Sequence, residues 1–86
     1  MIEYSITFAR SARRELERLE HSVAHRILAR IEELAAEPRP VGCRKLQGGS
    51  GLWRLRIGDY RVVYSVVDGQ KLVDVVAVRH RREAYR

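Results

Sequence analysis

The stretch LWRLRIGDYRVVY, Leu52 to Tyr64, alternates apolar and polar side chains on either side of a Gly58-Asp59 pair. Alternation with period two marks a half-buried strand, and a Gly-Asp step between two such runs reads as a tight turn. Two antiparallel strands are therefore predicted, LWRLRI and YRVVYSVV. Side chains two apart on a strand share a face, so Trp53, Leu55 and Ile57 fall on one side and Leu52, Arg54 and Arg56 on the other. The apolar side must be covered, because its burial is the main stabilisation open to so short a chain. Arg54 and Arg56 are then left on the uncovered face, about 7 Å apart along the strand. Arg61, just past the turn, can come close to them.

Working outward, Asp68-Gly69 is a hairpin signal, and KLVDVVAVRH closes a C-terminal antiparallel meander. Upstream, IEYSITF alternates Ile2, Tyr4, Ile6 and Phe8 against Glu3, Ser5 and Thr7, which is again a strand. Between them, SARRELERLE and SVAHRILARIEELAAEP carry apolar residues at helical spacing: Ala12, Leu16 and Leu19, then Val23, Ile27, Ile31, Leu34 and Ala35. Ser11 and Ser22 stand where N-caps belong, and Pro38 stops the second helix. Only Glu20-His21-Ser22 separate the two, so an antiparallel helical hairpin is expected. The loop RPVGCRKLQGGSG holds a short basic strand-like piece, Cys43 to Leu46. The order β-α-α-β-β-β over residues 1–86 makes one α+β domain, with an N-terminal strand, a helical hairpin and a strand meander whose helices lie on one face.

The chain is 86 residues long and 45% hydrophobic, enough for one modest core and against wholesale disorder. Its apolar runs are too short to cross a bilayer, and the opening MIEYSITFAR reads as a strand and not as a targeting leader. The single cysteine, Cys43, has no internal disulfide partner, and no Cys/His spacing suggests zinc or another metal. A cytoplasmic domain without membrane contact or cofactor is the expectation. Charge is unevenly placed. Residues 1–37 carry six Arg against seven Glu, whereas residues 38–86 carry eleven Lys and Arg against four acids. The basic half is also the strand half, and such a face suggests a polyanion, most plausibly nucleic acid.

The last strand adds Arg79, His80 and Arg81 at its C-terminal end, where they could join Arg54, Arg56 and Arg61 on one face. Clustering like charges costs energy, and a guanidinium fork suits phosphate because it offers two donors and stays charged. The competing reading pairs these bases with Asp59, Asp68, Asp74 and Glu83, but four acids cannot neutralise eleven bases. Trp53 reads as core before it reads as a base-stacking platform, and Tyr4, Tyr60 and Tyr64 as packing residues. Cys43 reads as a small semi-buried filler. His21 and His25 read as surface residues, and the Glu-rich and Arg-rich helix faces as solvated sides.

Three segments, YSITFARSARRELERL, KLQGGSGLWRLRIGDYRVVYSVVDG and VAVRHRREAYR, resemble the RelE/ParE superfamily of bacterial and archaeal type II toxins, end to end and in the same element order. The resemblance implies a small toxin neutralised by a tightly bound antitoxin. In the RelE branch such a toxin enters the ribosomal A site and cleaves mRNA; in the ParE branch it poisons DNA gyrase and is not a nuclease. Carried across by position, the RelE-type catalytic set falls on Arg54 and Arg56, where some relatives have lysine, and on Arg61, Arg81 and Tyr85. His80 stands where several relatives have a histidine. Arg44, Lys45, Arg79 and Arg82 would then contact RNA or ribosomal RNA.

The chemistry implied is attack by a 2′-OH on the adjacent phosphate, leaving a cyclic phosphate and a 5′-OH, with no metal. Arg61 and Arg81 suit stabilisation of the pentavalent phosphorane. Arg54 and Arg56 could hold a flanking phosphate or favour loss of the 2′ proton. His80, the side-chain type that gains and loses a proton near neutral pH, is the candidate proton shuttle. Tyr85 could orient or stack on a base, or assist proton transfer. The implied partners are the ribosome, mRNA and a cognate antitoxin. The antitoxin should be acidic, partly disordered when free and wrapped on the basic surface, with a toxin–antitoxin heterotetramer as a plausible assembly. The alternatives left open are a ParE-type gyrase inhibitor and a relative that binds nucleic acid without cleaving it.

Overall fold

The computed structural model describes residues 3–48 and 51–84. Its elements run β1 (Ser5–Phe8), α1 (Arg10–Glu17), α2 (His21–Glu32), β2 (Cys43–Lys45), β3 (Leu52–Ile57), β4 (Tyr60–Val67), β5 (Leu72–His80) and α3 (Arg81–Ala84). The order of strands across the sheet is β1-β5-β4-β3-β2. Strands β2 to β5 form the antiparallel meander, while β1 lies parallel to β5 and makes the sheet mixed. The architecture is the expected α+β one.

The apolar stripes explain why the helices lie where they do. Ala12 and Leu16, one turn apart on α1, are buried, as are Ile27 and Ile31 on α2. Leu34 follows them in a tight turn, Glu33–Ala35, that ends the second helix ahead of Pro38. These side chains share one core with Leu55, Val62, Val73, Val75 and Val78 from the sheet. Burying a side chain of this size stabilises the fold by about 1.5–3 kcal/mol, so the core dominates the stability of a domain this small.

Two helix starts differ from the sequence expectation. α1 begins at Arg10 after Ala9, without a side-chain cap. Ser11 instead lies inside the first turn and donates its Oγ–H to the Val76 carbonyl at 3.0 Å. α2 begins at His21, and Ser22 donates to the Glu20 carboxylate at 2.7 Å. In both cases the serine lies one position inside the helix, where its oxygen does not cap the first amides, and its proton goes to another acceptor.

The turns follow their glycines unevenly. Gly58 has φ +59°, and Ile57 pairs with Tyr60 across Gly58-Asp59, a two-residue hairpin with glycine at its first position. The second hairpin is wider. Asp68–Gln70 form a single tight helical turn, Lys71 takes a left-handed conformation, and Val67 pairs with Leu72. Tyr64 is fully buried and donates its hydroxyl to the Pro38 carbonyl at 2.8 Å. That bond ties the loop after α2 to the middle of the sheet. Burial, and then the neighbouring Cys43 thiol, push the Tyr64 hydroxyl pKa up.

Candidate functional site: an arginine row on the open face of the sheet

Cross-strand partners share a face of a sheet, so the register fixes which basic residues meet. Arg44 on β2 stands opposite Arg54 on β3. One step along, Arg56 on β3 stands opposite Arg61 on β4, and Arg61 stands opposite Arg79 on β5. Three arginines thus form a row across three strands, with two more in the adjoining row. Val62, the next residue of β4, is fully buried in the core, so the row lies on the sheet face turned away from the helices. Like charges placed directly opposite are destabilising, which makes the row a feature the fold must tolerate and not one that holds it together.

Burial is graded across the row. Arg56 and Arg79 are exposed, whereas Arg61 is only 9% exposed, and Arg54 is half-buried. A buried guanidinium needs partners, and Arg61 is not without them. Arg56 donates weakly to the Gly58 carbonyl, at 3.5 Å. Arg44, Arg54 and Arg56 make no ion pair with any described carboxylate. Two of the four acids expected to compete for them are engaged elsewhere. Asp68 takes Arg39, and Asp74 accepts the Thr7 hydroxyl at 2.9 Å.

Arg79 is the exception. Its Nε–H donates to Glu15 Oε2 at 2.6 Å, and the other oxygen of that carboxylate accepts the Val78 amide at 2.8 Å. Sequence reading assigns Glu15 to a solvated helix face. Its position beside Leu16 and one turn before Leu19 puts it at the border of the α1 apolar stripe, and that is the available signal.

The last-strand groups do not all share a face. Alternation along β5 separates His80 from Arg79. His80 pairs instead with Tyr60, and the two rings meet edge to face with centroids 5.1 Å apart. A cleft of about 400 Å³ opens beside them, lined by Glu15, Arg18, Leu19, Tyr60, Val78 and His80. Arg81 starts α3, and its amide donates to the Asp59 carbonyl at 2.7 Å, which docks α3 on the Gly58-Asp59 turn. The Arg82 amide donates to His80 Nδ1 at 3.3 Å, leaving Nε2 to carry the proton of a neutral ring. A second, open cleft of about 530 Å³ lies among Asp59, His80, Arg81 and Arg82. His80 therefore forms a wall common to both clefts at the end of the sheet that carries the arginine row.

The remaining candidates separate. Arg44 and Lys45 are both exposed, but Lys45 pairs with Trp53 and so lies on the opposite face from Arg44. Tyr85 lies outside the described residues. Among the described residues no group of three or more His, Cys, Asp or Glu side chains is placed to hold a metal. No described helix is long and apolar enough to cross a membrane.

Comparison with known proteins places this architecture. The family model for the ParE toxin of the parDE type II toxin–antitoxin system matches residues 6–85. Toxin RelG of Mycobacterium tuberculosis is 34% identical over 88 aligned positions, covering 96% of this chain and 97% of RelG. Toxin RelE of the same organism is 31% identical, covering 96% of this chain and 87% of that one. Among solved structures, the RelBE2 toxin–antitoxin complex of M. tuberculosis superposes with a TM-score of 0.85 at 28% identity, over 94% of each chain. The archaeal RelE–RelB complex of Pyrococcus horikoshii gives 0.81 at 29% identity, over 93% of this chain and 97% of that one. Family model, relatives and fold agree along almost the whole length, and the chain belongs to the RelE/ParE superfamily of type II toxin–antitoxin toxins.

Proposed function

We propose that this toxin is a RelE-type endoribonuclease, acting in the cytoplasm on mRNA held in the ribosomal A site. The observation that carries the reading is the row Arg56–Arg61–Arg79, with Arg61 sunk to 9% exposure and Arg81 at the same end of the sheet. Fixed cations that the fold has already ordered are the kind of group that stabilises charge developing on a phosphate, at several kcal/mol per well-placed donor.

In this reading the RNA supplies the nucleophile. The 2′-oxygen bonds to the adjacent phosphorus and loses its proton. The bond to the 5′-oxygen of the next nucleotide breaks, and that oxygen takes up a proton, leaving a 2′,3′-cyclic phosphate and a 5′-OH. Arg61 and Arg81 balance the extra charge of the phosphorane. Arg54 and Arg56 hold the strand, and Arg44, Arg79 and Arg82 extend the contact with RNA. A guanidinium stays protonated and so makes a poor general base, and proton movement falls to His80, whose Nε2 is left unengaged by the Arg82 amide. Tyr85 is assigned the stacking role against a substrate base. No step requires a metal or cofactor.

The toxicity would be held in check by a cognate antitoxin. The solved relatives from M. tuberculosis and P. horikoshii are toxin–antitoxin complexes. A net charge of +6 favours an acidic partner that folds as it wraps this surface, with a heterotetramer as the assembly. Absence of a complex when the toxin is titrated with an acidic antitoxin encoded beside it would remove this part of the reading.

The nuclease is tested in a cell-free translation reaction with mRNA ends mapped by primer extension. Discrete ribosome-dependent cuts in the coding region are expected, and they should vanish in the Arg61→Ala/Arg81→Ala double variant while its circular dichroism stays native. Intact mRNA, in a reaction where a nuclease of the family cuts, would overturn it. The ParE family model gives the second reading its support. A gyrase inhibitor would block supercoiling by purified gyrase and would keep that effect in the double variant.

A further inference from the structure

Strand β5 is supported on both sides for only part of its length. β1 pairs with Leu72 to Val75 and stops there, while β4 follows β5 as far as His80. A register irregularity opposite Val63 and Tyr64 leaves Val76 outside the ladder. From Val76 onward the outer edge of β5 would show unpaired backbone groups to water, and this is the segment that delivers Arg79. Helix α1 covers that edge with two side chains one turn apart. Ser11 donates to the Val76 carbonyl, and Glu15 accepts the Val78 amide, so a helix supplies the hydrogen bonds a missing strand would have made.

Glu15 does more than close the edge. The same carboxylate receives Arg79 Nε–H at 2.6 Å, a charge-assisted bond from a side chain that the strand register places next to Arg61. Left to itself, Arg79 would be a flexible, exposed chain repelled by Arg61 and Arg56. Tied at Nε, it keeps both terminal nitrogens as donors and is held at the outer end of the row. We propose that Glu15 is a positioning residue for Arg79, and that the pair forms an outer phosphodiester-binding position one strand away from Arg61. Its ligand is a backbone phosphate of single-stranded RNA flanking the one at Arg61. This rests on the nuclease reading given above.

The test separates holding the fold from holding Arg79. Glu15→Gln keeps an acceptor for the Val78 amide and loses the charge that binds Arg79. Its thermal unfolding should stay close to that of the parent protein. The nitrogen-15 NMR signal of Arg79 Nε–H should be slow to exchange in the parent and lost or shifted in the variant. Ribosome-dependent cleavage should fall about tenfold in kcat/KM, the scale expected when a positioned group is loosened. In an Arg79→Ala background the same Glu15→Gln change should have almost no further effect, whereas a merely structural Glu15 would cost as much with or without Arg79. Equal cost in both backgrounds, or no cost in either, overturns the proposal. If the parent protein does not cut mRNA where a related nuclease does, the nuclease reading fails on its own. The same four proteins titrated with a labelled single-stranded RNA then decide the Glu15–Arg79 question by binding alone, and equal affinities across them would overturn it.

Discussion

The two ends of the β4–β5 hairpin use arginine in opposite ways. At the turn end, Arg39 bonds both carboxylate oxygens of Asp68, at 3.2 and 2.8 Å, while Tyr4 donates its hydroxyl to the same carboxylate at 2.7 Å. The Arg39 guanidinium also lies 5.3 Å from the centre of the Trp53 ring. Charge there is matched, the Asp68 carboxylate accepts all three of these bonds, and the cluster fastens β1, the loop after α2 and the hairpin turn to one another. At the other end, Arg56, Arg61 and Arg79 stand side by side, with Arg79 tied to Glu15 and Arg56 paired with no carboxylate among the described residues. A matched arginine finishes its task within the fold. The arginine row carries an excess of positive charge that the fold does not use in this way, and the contrast marks it as the candidate site without appeal to any relative.

The largest expected effect tests whether position or total charge matters. Replacing Arg56 and Arg79 with alanine should weaken binding of single-stranded RNA by tenfold or more. It should also reduce the slope of log affinity against log salt by about 1.4, at about 0.7 for each phosphate no longer neutralised. Arg39→Ala, which also removes a positive charge, should leave affinity and slope almost unchanged. Fluorescence anisotropy across a salt series reads both quantities. An equal loss from Arg39→Ala would mean that the protein attracts RNA through net charge alone, and the distinction between the two ends would collapse.

The parts of this contrast that can be read from sequence are those set by local periodicity. The strands carrying Arg54, Arg56 and Arg61 alternate cleanly, so their face follows from counting residues, and the apolar stripes of α1 and α2 fix which side the helices cover. Other features depend on pairing between distant segments. Nothing local to IEYSITF says that β1 runs parallel to β5, and nothing in KLVDVVAVRH marks Val76 as the residue that drops out of the ladder. The Glu15–Arg79 contact joins residues 64 positions apart, and the Arg39–Asp68 contact residues 29 apart. Ser11 and Ser22 read as caps because a hydroxyl at a helix start usually bonds its own amides. Each instead lies one position inside its helix and donates its proton, one to β5 and one to Glu20. His80 is legible in principle: it directly follows Arg79 on a strand, and strict alternation sets the two on opposite faces.

A smaller effect sharpens the matched end. Tyr64→Phe leaves the Pro38 carbonyl without its buried donor, next to the residue that carries the Arg39 contact. Losing one buried hydrogen bond of this kind should lower stability by about 1 kcal/mol. Urea unfolding would show it as a lower midpoint with an unchanged slope. RNA affinity should not move, since Tyr64 is fully buried and its hydroxyl is engaged with the loop after α2. A parallel loss of RNA binding would show that the two ends are coupled through the sheet and do not act separately.

The smallest effect separates the ends by acid titration. Hydrogen bonds from Arg39 and then Tyr4 hold the Asp68 carboxyl below its ordinary pKa. The reciprocal bonds raise the pKa of both Arg39 and Tyr4. A carboxyl whose pKa is lower in the folded state stabilises the fold at pH values above its unfolded pKa, about 3.9, and loses that contribution as the pH falls through the folded value. Asp68→Asn should therefore unfold slightly more easily than the parent at pH 7. The two midpoints should converge as the pH drops below about 4, because protonation has by then removed the same charge from the parent. The difference should be slight, since an exposed ion pair is screened by water and salt. Arg56→Ala should behave otherwise. A guanidinium does not titrate in this range, so the variant should follow the parent's acid limb without converging on it. If Arg56→Ala changed the acid limb as Asp68→Asn does, a carboxylate would have to be acting on the open face, and the charge excess that defines the site would be smaller than its arginines suggest.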